Sequence, residues 1–362
     1  MQVGIGSWRS SEQESMLDVN DTTNQLLEMK QYIMEPGADA IRLVDAEVPK
    51  LGPKDVKVQL KAASLNYRDF LMRQYAKEAI VPFSDGAGVV VEVGAEVQDF
   101  QVGDRVLGLF FPNWIDGEIT REIHGVARGG GSVDGMLSEF VLGHEQSFVA
   151  VPEHLDFAEA ATLPCAGLTA WHALFEHARP AKKGDTILIQ GTGGVSIFAL
   201  QLAVAFGLKT IVLSSSDEKL ARVKEMGATH TINYRDTPDW DQEVWELTGK
   251  RGVDLVVEVG GAGTFERSMK SVKYHGVISL IGVLTGTAAE VNPFMIVGKS
   301  LQVFGIYVGS KAMQHRFHAA LEEHSLTPVV DSVFEFEDAD SAYVHQKSGK
   351  HFGNVVVRGM DA

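Results

Sequence analysis

Apolar and polar positions divide the chain into two regimes. From about residue 30 to 150 the apolar positions alternate: Val56, Val58 and Leu60 share one face of DVKVQLKAA, while GAGVVVEVG and GDRVLGLF are short apolar runs fenced by glycine. A period of two with glycine punctuation predicts β-strands, and several in succession predict an antiparallel, barrel-like domain. From about residue 153 strand and helix patterns alternate. Strand 186–190 leads to helix 194–206, strand 210–214 to helix 217–226, and a short strand at 230–233 to a helix at 239–248. Strand 253–259, helix 263–270 and strand 276–282 continue the series. This βαβ rhythm predicts a doubly wound parallel α/β sheet of the Rossmann type. After about 298 strand-like pieces return and end in GNVVVR. The expected division is therefore an extension at 1–28, a β-rich part at 29–152, an α/β domain at 153–297 and a second β-rich part at 298–362. The parallel sheet is inserted in the β-rich domain, with a cleft between them.

Two segments stand outside these periods. The first 28 residues are polar and acidic, with neither a basic start nor an apolar stretch, and read as a flexible extension rather than a signal peptide. Between Phe111 and Gly135 the chain is glycine-rich and aperiodic. Loops of that length inside a compact domain are usually functional or disordered, and a lid hinged at glycines 129–131 is one expectation.

Composition narrows the partners. The 362 residues carry a formal net charge of -16, which disfavours nucleic acid and anionic membrane and leaves a small molecule as the expected ligand. The single cysteine, Cys165, excludes an internal disulfide and a cysteine-rich structural zinc lobe. No apolar run approaches the roughly 18–20 residues of a membrane span, and the cytoplasm is the expected compartment.

Chemistry first shows in QGTGGVSIFA at 190–199, between a strand and a helix. Gly191, Gly193 and Gly194, followed by Val195, let the backbone pass close to a pyrophosphate, and the helix start offers free N–H groups. Ser196 stands where a third spaced glycine would be, a small residue that still permits close helix–strand packing. The next strand ends at Ser214, where sites selective for NAD place an acid on the ribose hydroxyls. Its absence, with Ser215 and Lys219 close by, favours NADPH over NADH. Ser215 and Glu218 also have the spacing of a helix capping box, which explains the polar run without any ligand.

The glycine loop joins SLNYRD (64–69), DGAGVVVEVGAEVQDFQVGDRV (85–106), LPCAGLTAWHAL (163–174) and GKHFGNVVV (349–357). Together, over residues 30–358, these resemble the medium-chain dehydrogenase/reductase superfamily, in particular its zinc-independent quinone oxidoreductase and enoyl reductase branch. The resemblance implies a GroES-like catalytic domain, a Rossmann domain, hydride transfer from NAD(P)H and a homodimer formed through the Rossmann sheet edges. It places Asn66 by the nicotinamide ribose, Thr169 facing the nicotinamide, and Tyr67 in the substrate cleft as an oxygen-stabilising donor or proton source. It puts Ser215, Lys219 and Tyr234 on the 2′-phosphate, and Gly260, Gly282 and Val283 along the cofactor. Where zinc alcohol dehydrogenases of this superfamily carry their catalytic ligands, this chain has Asn66, Ser84 and Cys165, with Asp85 as an added oxygen donor. That set is too poor for a three-ligand zinc site, so metal-free chemistry is expected.

Without a Lewis acid, an acceptor activated by conjugation is favoured. The expected activity is NADPH-dependent hydride transfer to quinones, enones or other activated double bonds. An alcohol dehydrogenase acting on a carbonyl or alcohol is the alternative, and a cofactor-binding sensor without turnover is a second. Phe110, Phe111, Trp114 and Tyr307 could wall a ring-shaped substrate or simply belong to the core.

Overall fold

The computed structural model describes residues 28–130 and 132–360. Apart from Glu28, the extension expected at 1–28 lies outside the described residues. The chain opens with an antiparallel hairpin, β1 (Glu28–Ile33) and β2 (Arg42–Glu47). There follow β3 (Asp55–Leu65), β4 (Asp85–Val93), β5 (Arg105–Gly108), β6 (Phe140–His144) and β7 (Phe148–Ala150). The two-residue period acts as expected in β3: Val56, Val58 and Leu60 are fully buried.

The parallel strands are β8 (Thr186–Gln190), β9 (Lys209–Ser214), β10 (His230–Asn233), β11 (Val253–Glu258), β12 (Val272–Leu280) and β13 (Gln302–Gly305). They lie in the order β10-β9-β8-β11-β12-β13. Central strands such as VDLVVE are buried along their whole length, as expected where helices cover both faces. The order reverses between β8 and β11, so a crevice opens at their carboxyl ends.

The chain then returns to the first domain through β14 (Val330–Phe334) and β15 (Asn354–Arg358). The mixed sheet there runs β14-β15-β3-β4-β5-β7, with β6 also on β3. The boundary expected at 298 is corrected by strand pairing. Gln302–Gly305 pairs with β12 and closes the parallel sheet. Helix Lys311–Glu323 then packs on helix Leu168–Phe175 of the α/β domain, placing Phe317 against Trp171 and Phe198. The return therefore comes with β14, and strand-like text after 298 misled because an edge strand and a returning strand share one pattern. Among the described residues no helix is long and apolar enough to cross a membrane.

Candidate active site

A cleft of about 1180 Å3 runs between the two domains, from the carboxyl ends of β8, β9 and β12 to the start of helix Tyr67–Tyr75. Its cofactor end is built on the turn after β8. Gly191 has φ of 75°, a conformation that glycine adopts without strain. Gly193 caps helix Gly194–Ala205 with no side-chain bond to the first-turn amides, which leaves them available to an anion. A Cβ on Gly194 would lie 2.2 Å from Asn354 Oδ1, so any larger residue at the helix start would displace the Asn354 side chain of β15. Ser196 donates its hydroxyl to Gln190 O at 2.6 Å, tying the helix to the strand where a third glycine would otherwise pack.

The second domain clamps this turn. Gly353 N–H donates to Thr192 O at 3.0 Å, and His351 Nε2 lies 3.7 Å from where a Cβ on Gly193 would be. Beneath it, Gln190 donates to the buried Glu258, whose carboxylate also accepts from the amides of Gly260 and Gly261 and from the Thr264 and Ser268 hydroxyls. These bonds fix the turn after β11 to the turn after β8.

Ser214, Ser215, Lys219 and Tyr234 gather at the far end of the cleft. The capping-box reading of Ser215 and Glu218 is corrected here: Ser216 is the cap of helix Asp217–Glu225 and accepts from Lys219 N. Ser215 is thereby left facing the cleft. Asp217 is bonded by Asn233 Nδ2 at 2.8 Å, and neither it nor Glu218 lines the cleft. Lys219 spends two of its three donors on Gly349 O and His351 O, each at 2.7 Å, leaving one for a ligand. Burial lowers its pKa. Gly282 and Val283 line the cleft as expected, whereas Gly260 does not: its N–H is turned to Glu258 and Gln190, and Val259 lines the wall instead.

At the substrate end stand Asn66, Tyr67, Arg68, Phe110, Cys165, Thr169 and Tyr307. Asn66 precedes the helix; its N–H donates to Asp69 Oδ2 at 2.8 Å and its side-chain amide to Ser64 O at 3.3 Å. Tyr67 is 42% exposed and its ring packs beside Phe70. Only Phe110 and Tyr307 of the four proposed wall aromatics reach the cleft; Phe111 and Trp114 are buried behind them.

The expected lid is fastened instead. Lys311 N and Ala312 N bond the carbonyls of Trp114 and Ile115, and the buried Arg128 donates to Leu109 O and Ser147 Oγ. Of the glycines expected as hinges, Gly129 and Gly130 are held by amide bonds to Val133 O and Ala127 O, and Gly131 lies outside the described residues.

Behind the substrate end lies a buried acidic pair. Asp85 accepts from Ser84 Oγ at 2.6 Å and from Cys165 N at 2.9 Å. Burial pushes Asp85 up to about 7 and Asp69 up to about 6. Burial, with Asp85 nearby, pushes the Cys165 thiol upward as well. The three positions considered for zinc thus hold a buried thiol, a hydroxyl that donates to Asp85 and an amide that donates to Ser64 O. Among the described residues no group of three or more His, Cys, Asp or Glu side chains is arranged to hold a metal.

Arg68, Thr192, Gln190, Glu258, His351 and Asn354 are site or supporting residues beyond those anticipated. All but Glu258 sat within recognised motifs. What gives them a role is pairing across the fold, which no local pattern displays.

A dinucleotide cradle at the switch point of a parallel sheet, open to a second domain with polar donors, defines a nicotinamide-dependent oxidoreductase. The chain matches the zinc-binding dehydrogenase family over residues 194–325 and the alcohol dehydrogenase GroES-like domain over 52–153. It is 42% identical to a zinc-type alcohol dehydrogenase-like protein of Schizosaccharomyces pombe, covering 89% of this chain and 96% of that protein. Quinone oxidoreductase-like protein 2 of Bos taurus is 29% identical over 84% of this chain and 85% of its own. A provisionally assigned alcohol dehydrogenase structure from Sinorhizobium meliloti superposes with a TM-score of 0.84 at 40% identity, covering 91% of this chain and 98% of that one. The chain belongs to the medium-chain dehydrogenase/reductase superfamily and is an NAD(P)H-dependent oxidoreductase.

Proposed function

We propose that this oxidoreductase uses NADPH, without zinc, to reduce conjugated electrophiles such as quinones and enones. The observation that carries the reading is the donor set at the substrate end. Asn66 and Ser84 offer a neutral amide and a neutral hydroxyl, which donate to Ser64 O and Asp85, so that Asp85 and Cys165 are left as the strong ligands of this set. Two such groups fall short of the three protein ligands that a catalytic zinc site takes. An acceptor whose carbon is already activated needs only hydrogen-bond donors at its oxygen.

A bound nicotinamide cofactor would supply hydride. The free amides at 194–196 and the glycine turn would hold its pyrophosphate, while Ser215, Tyr234 and the remaining Lys219 donor would meet a 2′-phosphate. Thr169 and Asn66 would orient the reactive ring, and Tyr67 would donate to the acceptor oxygen.

The test is oxidation of NADPH and NADH by chelator-treated protein with one quinone, one enone and one simple aldehyde. Turnover with NADPH and a conjugated acceptor supports the reading. Activity with aldehyde restored only by zinc favours an alcohol dehydrogenase instead, and tight NADPH binding without turnover across the panel favours a sensor. Lys219→Ala is expected to lower kcat/KM for NADPH by roughly tenfold or more and to change NADH use far less.

A further inference from the structure

Arg68 is the charged group at the substrate end that the reading above leaves without a task. It is the second residue of helix Tyr67–Tyr75, and its side chain is 12% exposed. Nη1 donates to Arg128 O at 2.8 Å and lies 3.5 Å from Asp69 Oδ1. The guanidinium carbon sits 4.8 Å from the centre of the Phe110 ring. Nε is buried and has no hydrogen-bond partner among the described residues. Nε is too deep for a ligand to reach, but Arg68 lines the cleft, and Nη2, which makes no hydrogen bond among the described residues, is the donor open to an acceptor that arrives later.

Part of its charge is met by Asp69, the nearest carboxylate, which Arg68 draws down against burial and which also accepts from Asn66 N. Asp85, raised by burial to about 7, adds little countercharge. Tyr307, across the cleft, is raised by burial and drawn back down by Arg68. An oxygen acquiring negative charge here would meet the same pull.

We propose that Arg68 is a catalytic residue that hydrogen-bonds the acceptor's oxygen and stabilises the negative charge arising there during reduction. The proposal rests on the conjugated-acceptor reading. A bound reduced nicotinamide would supply the hydride, its own C–H bond breaking and the ring being left oxidised as a C–H bond forms at the β-carbon of an enone. The alkene pair moves to the bond between the α-carbon and the carbonyl carbon, and the carbonyl pair moves onto oxygen. Arg68, together with the Tyr67 hydroxyl, bonds that enolate oxygen, and a proton delivered to the α-carbon by water completes the saturated ketone. A preorganised cation then does at the oxygen what a metal does elsewhere.

The experiment uses 4-nitrophenol as a stable stand-in for the enolate oxygen, bound to the protein without cofactor and followed by absorbance, which separates phenol from phenolate. The phenolate-to-phenol ratio of the bound ligand is expected to exceed that in buffer at the same pH by roughly three- to tenfold, with Arg68→Met abolishing the gain and Arg68→Lys keeping part of it. Arg68→Met is also expected to lower kcat/KM for an enone by roughly a hundredfold while NADPH affinity, read by fluorescence, holds. Thermal melts check that each variant is folded, and Arg68→Lys carries the test should Arg68→Met not fold. No binding to the wild type, or an unchanged phenolate ratio in the folded variants, overturns the proposal. Failure of the reductase reading is separable: a wild type that turns over no conjugated acceptor but ionises bound nitrophenol through Arg68 keeps the charge site and loses only the reaction.

Discussion

At the scale of single residues, the buried carboxyl of Asp85 ties acid–base chemistry to stability. An unfolded aspartate ionises near 3.9. The folded one, pushed up to about 7 by burial, keeps its proton between those values. Its contribution is complete below about pH 4 and is lost as pH rises toward 7. Asp85→Asn stays neutral and can still accept from Cys165 N. It is expected to shrink the stability loss between pH 5 and pH 8 by on the order of 1–3 kcal/mol, read from denaturant melts of both proteins across that range. Tyr67→Phe is expected to lower kcat with an enone by about tenfold or more and to leave NADPH affinity intact; equal rates would remove the hydroxyl from the chemistry. The glycines of the cofactor turn were legible because backbone geometry demands that residue type. Arg68 was not, because its task depends on Phe110, Arg128 and Tyr307, which only the fold brings together.

Among elements, close approaches decide what is tolerated. A Cβ on Gly282, just beyond β12, would sit 2.1 Å from Val259 O, a backbone atom that cannot swing aside. Gly282→Ala is expected to cost about 1–3 kcal/mol, seen as a lowered Tm, and to weaken cofactor binding in titration. The order of strands and helices from 186 to 280 was readable because buried parallel strands are continuous apolar runs and the helices between them carry polar caps. The register of Gly353 on Thr192 was not, for it joins residues whose separation exceeds any window of periodicity. Gly260 was given to the cofactor, whereas its amide is turned to Gln190, 70 residues earlier, as well as to its neighbour Glu258.

On the scale of the whole molecule, β13 pairs with β12 on one side only, and helix Phe294–Lys299 beside it exposes Phe294 and Val297 at 73% and 69%. An open edge flanked by exposed apolar side chains suits a second copy of the chain. Homodimerisation through this edge is the expected outcome, and the double change Phe294→Asp, Val297→Asp should yield monomers by light scattering with secondary structure retained. The insertion of one domain in another was legible from the return of strand pattern, but its closing boundary was not, because β13 looks like the strands that follow it. That topology also orders events in time. β15 lies between β14 and β3 in the mixed sheet. The strand that pairs with the free side of β3 is thus made only after the whole α/β domain, and β3 must wait for it while that domain is synthesised. The parallel domain can mature early, yet the catalytic cleft is completed only once β15 has been made.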